Sequence, residues 1–203
     1  MVNRFCYRSL VLFFCFFSLQ AYSLSPGEKA ANFELKDQND KIFKLNQLAG
    51  KFIILEWFNE GCPFVQKHYE SGNMQTLQKM YKDNDLVRWV TIISSAPGKQ
   101  GHLESTAQLK KMVERVGVQA DYILRDPKGK VGRMYGAKTT PHMFIIDDKM
   151  MIRYNGAIDS IASANPDDIK KAKNYITSAM SKVLLKQEVI TKKTRPYGCS
   201  VKY

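Results

Sequence analysis

Hydrophobic and polar positions change their rhythm several times along the chain. Asn32–Lys36 and Lys41–Leu45 alternate polar and apolar around the turn residues Asp37–Asp40, which predicts a β-hairpin. Phe52–Phe58 is apolar except for Glu56 and rich in aromatic and branched side chains, the pattern of a strand buried on both faces. After Gly61 the rhythm becomes helical: Val65, Tyr69, Leu77, Met80 and Tyr81 recur at helix spacing, with an end near Lys82. Leu86–Ser94 predicts a second strand, and two parallel strands joined through a helix make a right-handed crossover. Next come a helix within Leu103–Val116 (Leu109, Met112, Val113 and Val116 inward), a short strand at Tyr122–Leu124 and a short helix around Val131–Tyr135. His142–Asp147 and Met150–Asn155 then pair antiparallel about Asp148–Lys149. Pro166–Leu185 reads as an amphipathic helix turning Ile169, Ala172, Ile176, Met180, Val183 and Leu184 inward, and the residues after it have no periodicity. The order predicts an α/β domain, a central mixed β-sheet with helices on both faces.

The beginning of the chain stands apart from this pattern. Arg4 and Arg8 precede the apolar run Leu10–Leu19, and Ala21 and Ser23 place small residues where a signal peptidase reads them. Residues 1–23 are therefore expected to be a cleaved secretory signal, 24–185 the folded domain and 186–203 a C-terminal tail. The apolar run falls short of the roughly 20 residues that span a bilayer, so no stable membrane insertion is expected after cleavage, and the location is periplasmic or secreted. The bulky Phe14 before Cys15 argues against a lipoprotein signal. Cleavage removes both arginines, taking the 31 Lys+Arg to 29 against 19 Asp+Glu, a net charge of +10. Lysines scattered singly, with no basic helix face and no interleaved aromatics, argue for a solvated surface and against nucleic acid as a partner.

Cleavage also removes Cys6 and Cys15, which leaves Cys62 and Cys199 and a single disulfide in an oxidising compartment. Cys62 ends the apolar strand, and Pro63 occupies the first helical turn, where its missing N–H costs nothing. At such a strand-to-helix turn the unpaired N–H groups and the helix dipole favour thiolate over thiol, and thiolate attacks disulfides and peroxides.

Strand, cysteine at a helix start, crossover, and Thr140-Pro141 opening a hairpin before a terminal helix resemble the thioredoxin fold. The N-terminal hairpin and the helical insert at Leu103–Val116 resemble its redoxin branch, the alkyl hydroperoxide reductase and thiol-specific antioxidant superfamily. The likeness covers about residues 26–185 and is carried by Trp57, Asn59, Cys62-Pro63-Phe64-Val65, Lys67, His68 and Tyr69 with the Thr-Pro turn. It implies that Cys62 is the nucleophile of a C-x-x-C motif whose second position holds Val65. It implies that Glu56 is a buried acid assisting proton transfer, its ionisation disfavoured by desolvation. Alternation alone allows an outward-facing or salt-bridged Glu56 equally well. The resemblance further implies a cis bond at Thr140-Pro141, facing the cysteine and presenting backbone to an extended substrate, with Trp57 and Pro63 completing the substrate-binding surface.

The Gly198-Cys199-Ser200 ending resembles a peroxiredoxin-like subgroup. It implies a thiol-disulfide oxidoreductase without cofactor, exchanging with protein or small-molecule thiols and disulfides and restored by a reducing partner of unknown identity. Cys62 attacks, and Cys199, on a mobile tail, folds back to resolve. Three alternatives stand beside this. Peroxiredoxins carry P-x-x-x-T-x-x-C, with a distant arginine; here Leu55 and Asn59 hold the Pro and Thr positions before Cys62, and Val65 the position of the attacking cysteine, so the peroxide-activating shell is incomplete. A permanent Cys62–Cys199 bond would be structural, worth roughly 5 kcal/mol for so long a loop. A copper role would draw on Cys62, His68, His142 and methionines, although Cys62 and His68 are spaced to face different sides of a helix.

Overall fold

The computed structural model describes residues 24–203, so the secretory segment expected at 1–23 lies outside the described residues. In chain order the elements are β1 (Glu34–Lys36), β2 (Ile42–Lys44), β3 (Phe52–Trp57), α1 (Pro63–Glu70), α2 (Asn73–Lys82), β4 (Val87–Ile93), α3 (Thr106–Val116), β5 (Tyr122–Arg125) and α4 (Lys130–Tyr135). After these come β6 (Thr139–Thr140), β7 (His142–Ile146), β8 (Ile152–Gly156), α5 (Tyr175–Leu184) and β9 (Cys199–Ser200). Seven strands make one mixed sheet in the order β2-β1-β5-β4-β3-β7-β8. The expected mixed sheet covered on both faces is therefore the fold observed, and it is thioredoxin-like.

The central strand β3 is buried along its whole length because it has a neighbour on each edge. It pairs parallel with β4, from Phe52 opposite Val87 to Trp57 opposite Ile92, and antiparallel with β7, where Glu56 faces Met143. Alternation divides its side chains. Phe52, Ile54 and Phe58 join a core with Val65 and Tyr69 of α1, Met74 and Leu77 of α2, Leu109 and Met112 of α3 and Ile176, Met180 and Val183 of α5. Ile53, Leu55 and Trp57 face the opposite core with Val131 and Tyr135 of α4.

Three expectations are corrected here. The helix after Cys62 is two helices, because Gly72 takes a left-handed conformation (φ 74°) that ends α1 and re-aims α2; Met80 consequently points outward, 56% exposed. The helix expected over Pro166–Leu185 is a short 3₁₀ turn at Pro166–Asp168 followed by α5, whose first turn is capped by the Asn174 side chain accepting from the Thr177 N–H. Ile169 and Ala172 accordingly lie half-buried outside the helix. Finally, the tail expected to be mobile is docked, running back across the sheet end and adding β9 to β6.

Candidate active site

Cys62 caps α1: its carbonyl accepts from the N–H groups of Val65 and Gln66, each at 2.9 Å. Its side chain is fully covered, 0% exposed. The thiol donates to the Thr140 carbonyl at 3.0 Å, across the Thr140-Pro141 turn, which is cis as the resemblance implied. Cys199 lies on the other side of that turn. Antiparallel pairing of β6 and β9 sets Thr140 opposite Cys199 and Thr139 opposite Ser200, and the Cys199 N–H points at the Cys62 sulfur at 3.4 Å. Both thiols are free, and each shifts the titration of the other.

Burial would raise the Cys62 thiol. The Cys199 thiol, the Thr140 side chain and the amides of Cys199 and Val65 together outweigh it and hold Cys62 below the ordinary thiol range. Cys199 moves the opposite way, pushed up to about 11 by burial and by the neighbouring Cys62 sulfur. The Thr140 hydroxyl is buried without a hydrogen-bond partner.

Glu56 is neither outward-facing nor salt-bridged. It is wholly buried, accepting from Tyr69 Oη (2.9 Å), Trp89 Nε1 (2.8 Å), Gln78 Nε2 (3.1 Å) and Thr91 Oγ1 (3.1 Å). Desolvation dominates and raises its pKa to about 7, although all four neutral donors oppose the shift. These hydrogen bonds run to α1, α2 and β4, and none reaches a cysteine.

Trp57 does not belong to a substrate surface, contrary to expectation. It is 0% exposed, packed against Tyr135 and Phe144 in the opposite core, and its indole N–H donates to Ser94 Oγ at 3.1 Å. Alternation along β3 explains this, since Trp57 and Glu56 must point to opposite faces. Pro63 is exposed beside Cys62, whereas Thr140 and Pro141 are buried. The backbone edge of Thr140 that the resemblance offered to a substrate is taken by the tail.

A second buried polar group, unrecognised in the sequence, pins that tail. Lys67, 1% exposed, reaches Asp159 Oδ2 at 3.3 Å and the Ile161 carbonyl at 3.2 Å. Tyr197 donates to Asp159 Oδ1 at 2.5 Å, and its ring lies under the Lys67 ammonium, 5.7 Å from the centroid. His68 completes the group, 3.4 Å from Tyr197 Oη and 2.8 Å from Asn73 Nδ2. The available signal was a lysine and a histidine on the helix that Cys62 begins, where core residues belong. Their partner lies 92 residues away, and periodicity carries no information about it.

Beyond Cys199, the Val201 N–H donates to the Lys138 carbonyl and the Ala96 N–H to the Lys202 carbonyl. Tyr203 donates to the Ala137 carbonyl at 2.8 Å and lies against Arg133 and Gly132, where a Cβ would meet its hydroxyl at 2.5 Å. Among the described residues no group of three or more His, Cys, Asp or Glu is placed to hold a metal ion. The His142 ring is engaged by Asn155 and the Lys138 N–H, so neither it nor His68 turns toward Cys62.

No curated protein matches the chain. Among solved structures, a hypothetical protein of Sinorhizobium meliloti 1021 superimposes with a TM-score of 0.69 at 23% identity, covering 90% of this chain and 96% of its own. An uncharacterized conserved protein of Geobacillus kaustophilus gives 0.69 at 22% identity, covering 88% and 92%. A Chlorobium tepidum protein named as a thiol:disulfide interchange protein, DsbE, gives 0.54 at 25% identity, covering 66% and 85%. The model of the AhpC/TSA family matches residues 26–155, the span that holds β3, Cys62, the crossover and the cis turn. The chain thus belongs to the AhpC/TSA family and is a thiol-dependent oxidoreductase of thioredoxin-like fold.

Proposed function

We propose that the protein is a thiol-disulfide oxidoreductase of the cell envelope in which Cys62 is the nucleophilic thiolate and Cys199 the thiol that closes a disulfide with it. The observation that carries this reading is the β6–β9 pairing, which sets Cys199 opposite Thr140 and aims its N–H at the Cys62 sulfur. A second cysteine next to Cys62 in sequence is missing, and the tail supplies one in space. Thr140 and Pro141 form the floor of the site, Pro63 its exposed rim, and Glu56, with a pKa near 7, the buried acid on the strand that leads to Cys62. The Chlorobium tepidum neighbour named as a thiol:disulfide interchange protein supports the class of reaction. Export rests on the basic and then apolar residues 1–23, with 24–185 as domain and 186–203 as tail. Among the described residues no helix is long and apolar enough to cross a membrane.

The tail's anchors on both sides of Cys199 favour a second reading, a permanent structural bond. The reduction potential of the Cys62–Cys199 pair, followed by mass spectrometry of the two peptides, separates them. A redox-active pair equilibrates with glutathione or dithiols; a potential below about −300 mV with slow reduction would leave only the structural bond.

A further inference from the structure

We propose that Cys199, and not Cys62, is the sulfur through which the pair meets outside thiols: a partner thiolate attacks Sγ of Cys199 in the Cys62–Cys199 disulfide, and Cys62 departs as the thiolate. The proposal rests on the reading that the two cysteines form a redox-active disulfide, and it reverses the order in which a thioredoxin-like site would be expected to engage its partner.

Access decides first. The Cys62 side chain is 0% exposed, enclosed by α1, the Thr140-Pro141 turn and the tail, whereas Cys199 remains partly open to solvent. Uncovering Cys62 would require the tail to leave, and the tail is held on both sides of Cys199. Ahead of it Tyr197 is bonded to the buried Asp159, and Gly198 packs so closely that a Cβ would come within 2.1 Å of the Thr140 carbonyl oxygen. Behind it are the strand pairing of Ser200, the Val201 and Lys202 backbone hydrogen bonds and the Tyr203 contacts. Opening Cys62 costs all of these, whereas Cys199 is partly exposed with the tail docked.

The surroundings of the two sulfurs assign the leaving group. In thiol-disulfide exchange the thiol of lower pKa departs faster. A thiolate on Cys62 is met by the Cys199 N–H, and Cys62 lies below the ordinary thiol range although its burial pushes the other way. The Cys199 thiol is instead pushed up to about 11, by its burial and by the neighbouring Cys62 sulfur.

The step balances as follows. The partner thiolate forms a bond to Cys199 Sγ as the Cys62–Cys199 bond breaks, leaving a mixed disulfide on Cys199 and a thiolate on Cys62. A second thiolate of the partner then attacks the partner's own sulfur in that mixed disulfide and releases Cys199, which takes a proton. Two electrons pass from the partner dithiol to the pair, and the partner leaves as its disulfide. Run backwards, an outside disulfide is received by Cys199, and Cys62 attacks Cys199 to close the internal bond.

The test uses the full mature chain, oxidised to the disulfide and confirmed as such by mass spectrometry, then mixed with glutathione. The reaction is quenched in acid at short times, and the protein is unfolded, alkylated and peptide-mapped. The expected product carries glutathione on Cys199 and the alkyl group on Cys62, exceeding the reverse product on the order of tenfold. Glutathione mainly on Cys62 would overturn the proposal and leave the redox reading intact. Failure of the oxidised chain to form the Cys62–Cys199 disulfide would overturn both.

Discussion

The two halves of the site are built in opposite ways. Cys62 sits where β3 meets α1, between neighbours close in sequence, and its position is set by a strand with partners on both edges. Cys199 lies on a two-residue strand whose register depends on separate anchors: Tyr197 on Asp159, Gly198 against Thr140, Tyr203 on Ala137. A core-borne thiol is held by the global stability of the fold, whereas a strap-borne thiol is held only by the free energy of docking the strap. The polar clusters on the two sides of α1 repeat the contrast. Glu56 meets only neutral donors and belongs to the core, while Asp159 meets a lysine and holds the tail.

Three substitutions separate these contributions, in descending order of effect. Glu56→Gln is read out on the stability of the core. Glu56 holds its proton more tightly in the folded chain than in the unfolded one. That proton therefore favours the fold fully below about pH 4.5, and the contribution is lost as pH rises through about 7. The loss amounts to about 3 kcal/mol, and the variant should not show it, since the glutamine oxygen still serves Trp89, Thr91 and Gln78. His68 and His142, both lowered to about 4 by burial, act with opposite sign and stay in place. Denaturant unfolding across pH should therefore show the stability maximum displaced to higher pH; an unchanged profile would mean that Glu56 does not titrate in this range.

Gly198→Val acts on the strap alone. The residue's φ of 132° and the close Thr140 carbonyl exclude a side chain, so the tail should undock. Closure of the Cys62–Cys199 disulfide should slow about a hundredfold, as expected when reacting groups lose their alignment, with the unfolding midpoint of the reduced core nearly unchanged. Coupled loss of the core's midpoint would show that tail and core are one cooperative unit. Tyr197→Phe is the mildest. It deletes one hydrogen bond to a carboxylate, worth about 1.5 kcal/mol, and should slow closure about tenfold while making Cys62 more open to alkylation. An alkylation rate equal to that of the parent would show that Tyr197 does not hold the strap.

Local features were legible from the sequence because local physics sets them. The unbroken apolar run Phe52–Phe58 announces a strand with two neighbours, and Cys62-Pro63 after it announces a thiol at a helix start. Periodicity does not mark the break at Gly72, because apolar residues recur at helical spacing on both sides of it. Resemblance places Trp57 on a substrate surface, whereas the alternation that sends Glu56 to one core sends Trp57 to the other.

The sequence by itself determined the α/β order, the place of a cysteine at a strand-to-helix turn and the presence of a second cysteine far down the chain, since each follows from patterns within a few residues or from simple counting. Only the tertiary structure decided that the tail is docked, that it takes the Thr140 edge and that it covers Cys62 while leaving Cys199 accessible. The physical reason is that the tail has no periodic pattern of its own. Its order comes from a tyrosine on a distant aspartate, a glycine thin enough to pass a carbonyl and a backbone edge left open by a cis turn, contacts that exist only once the rest of the chain has folded.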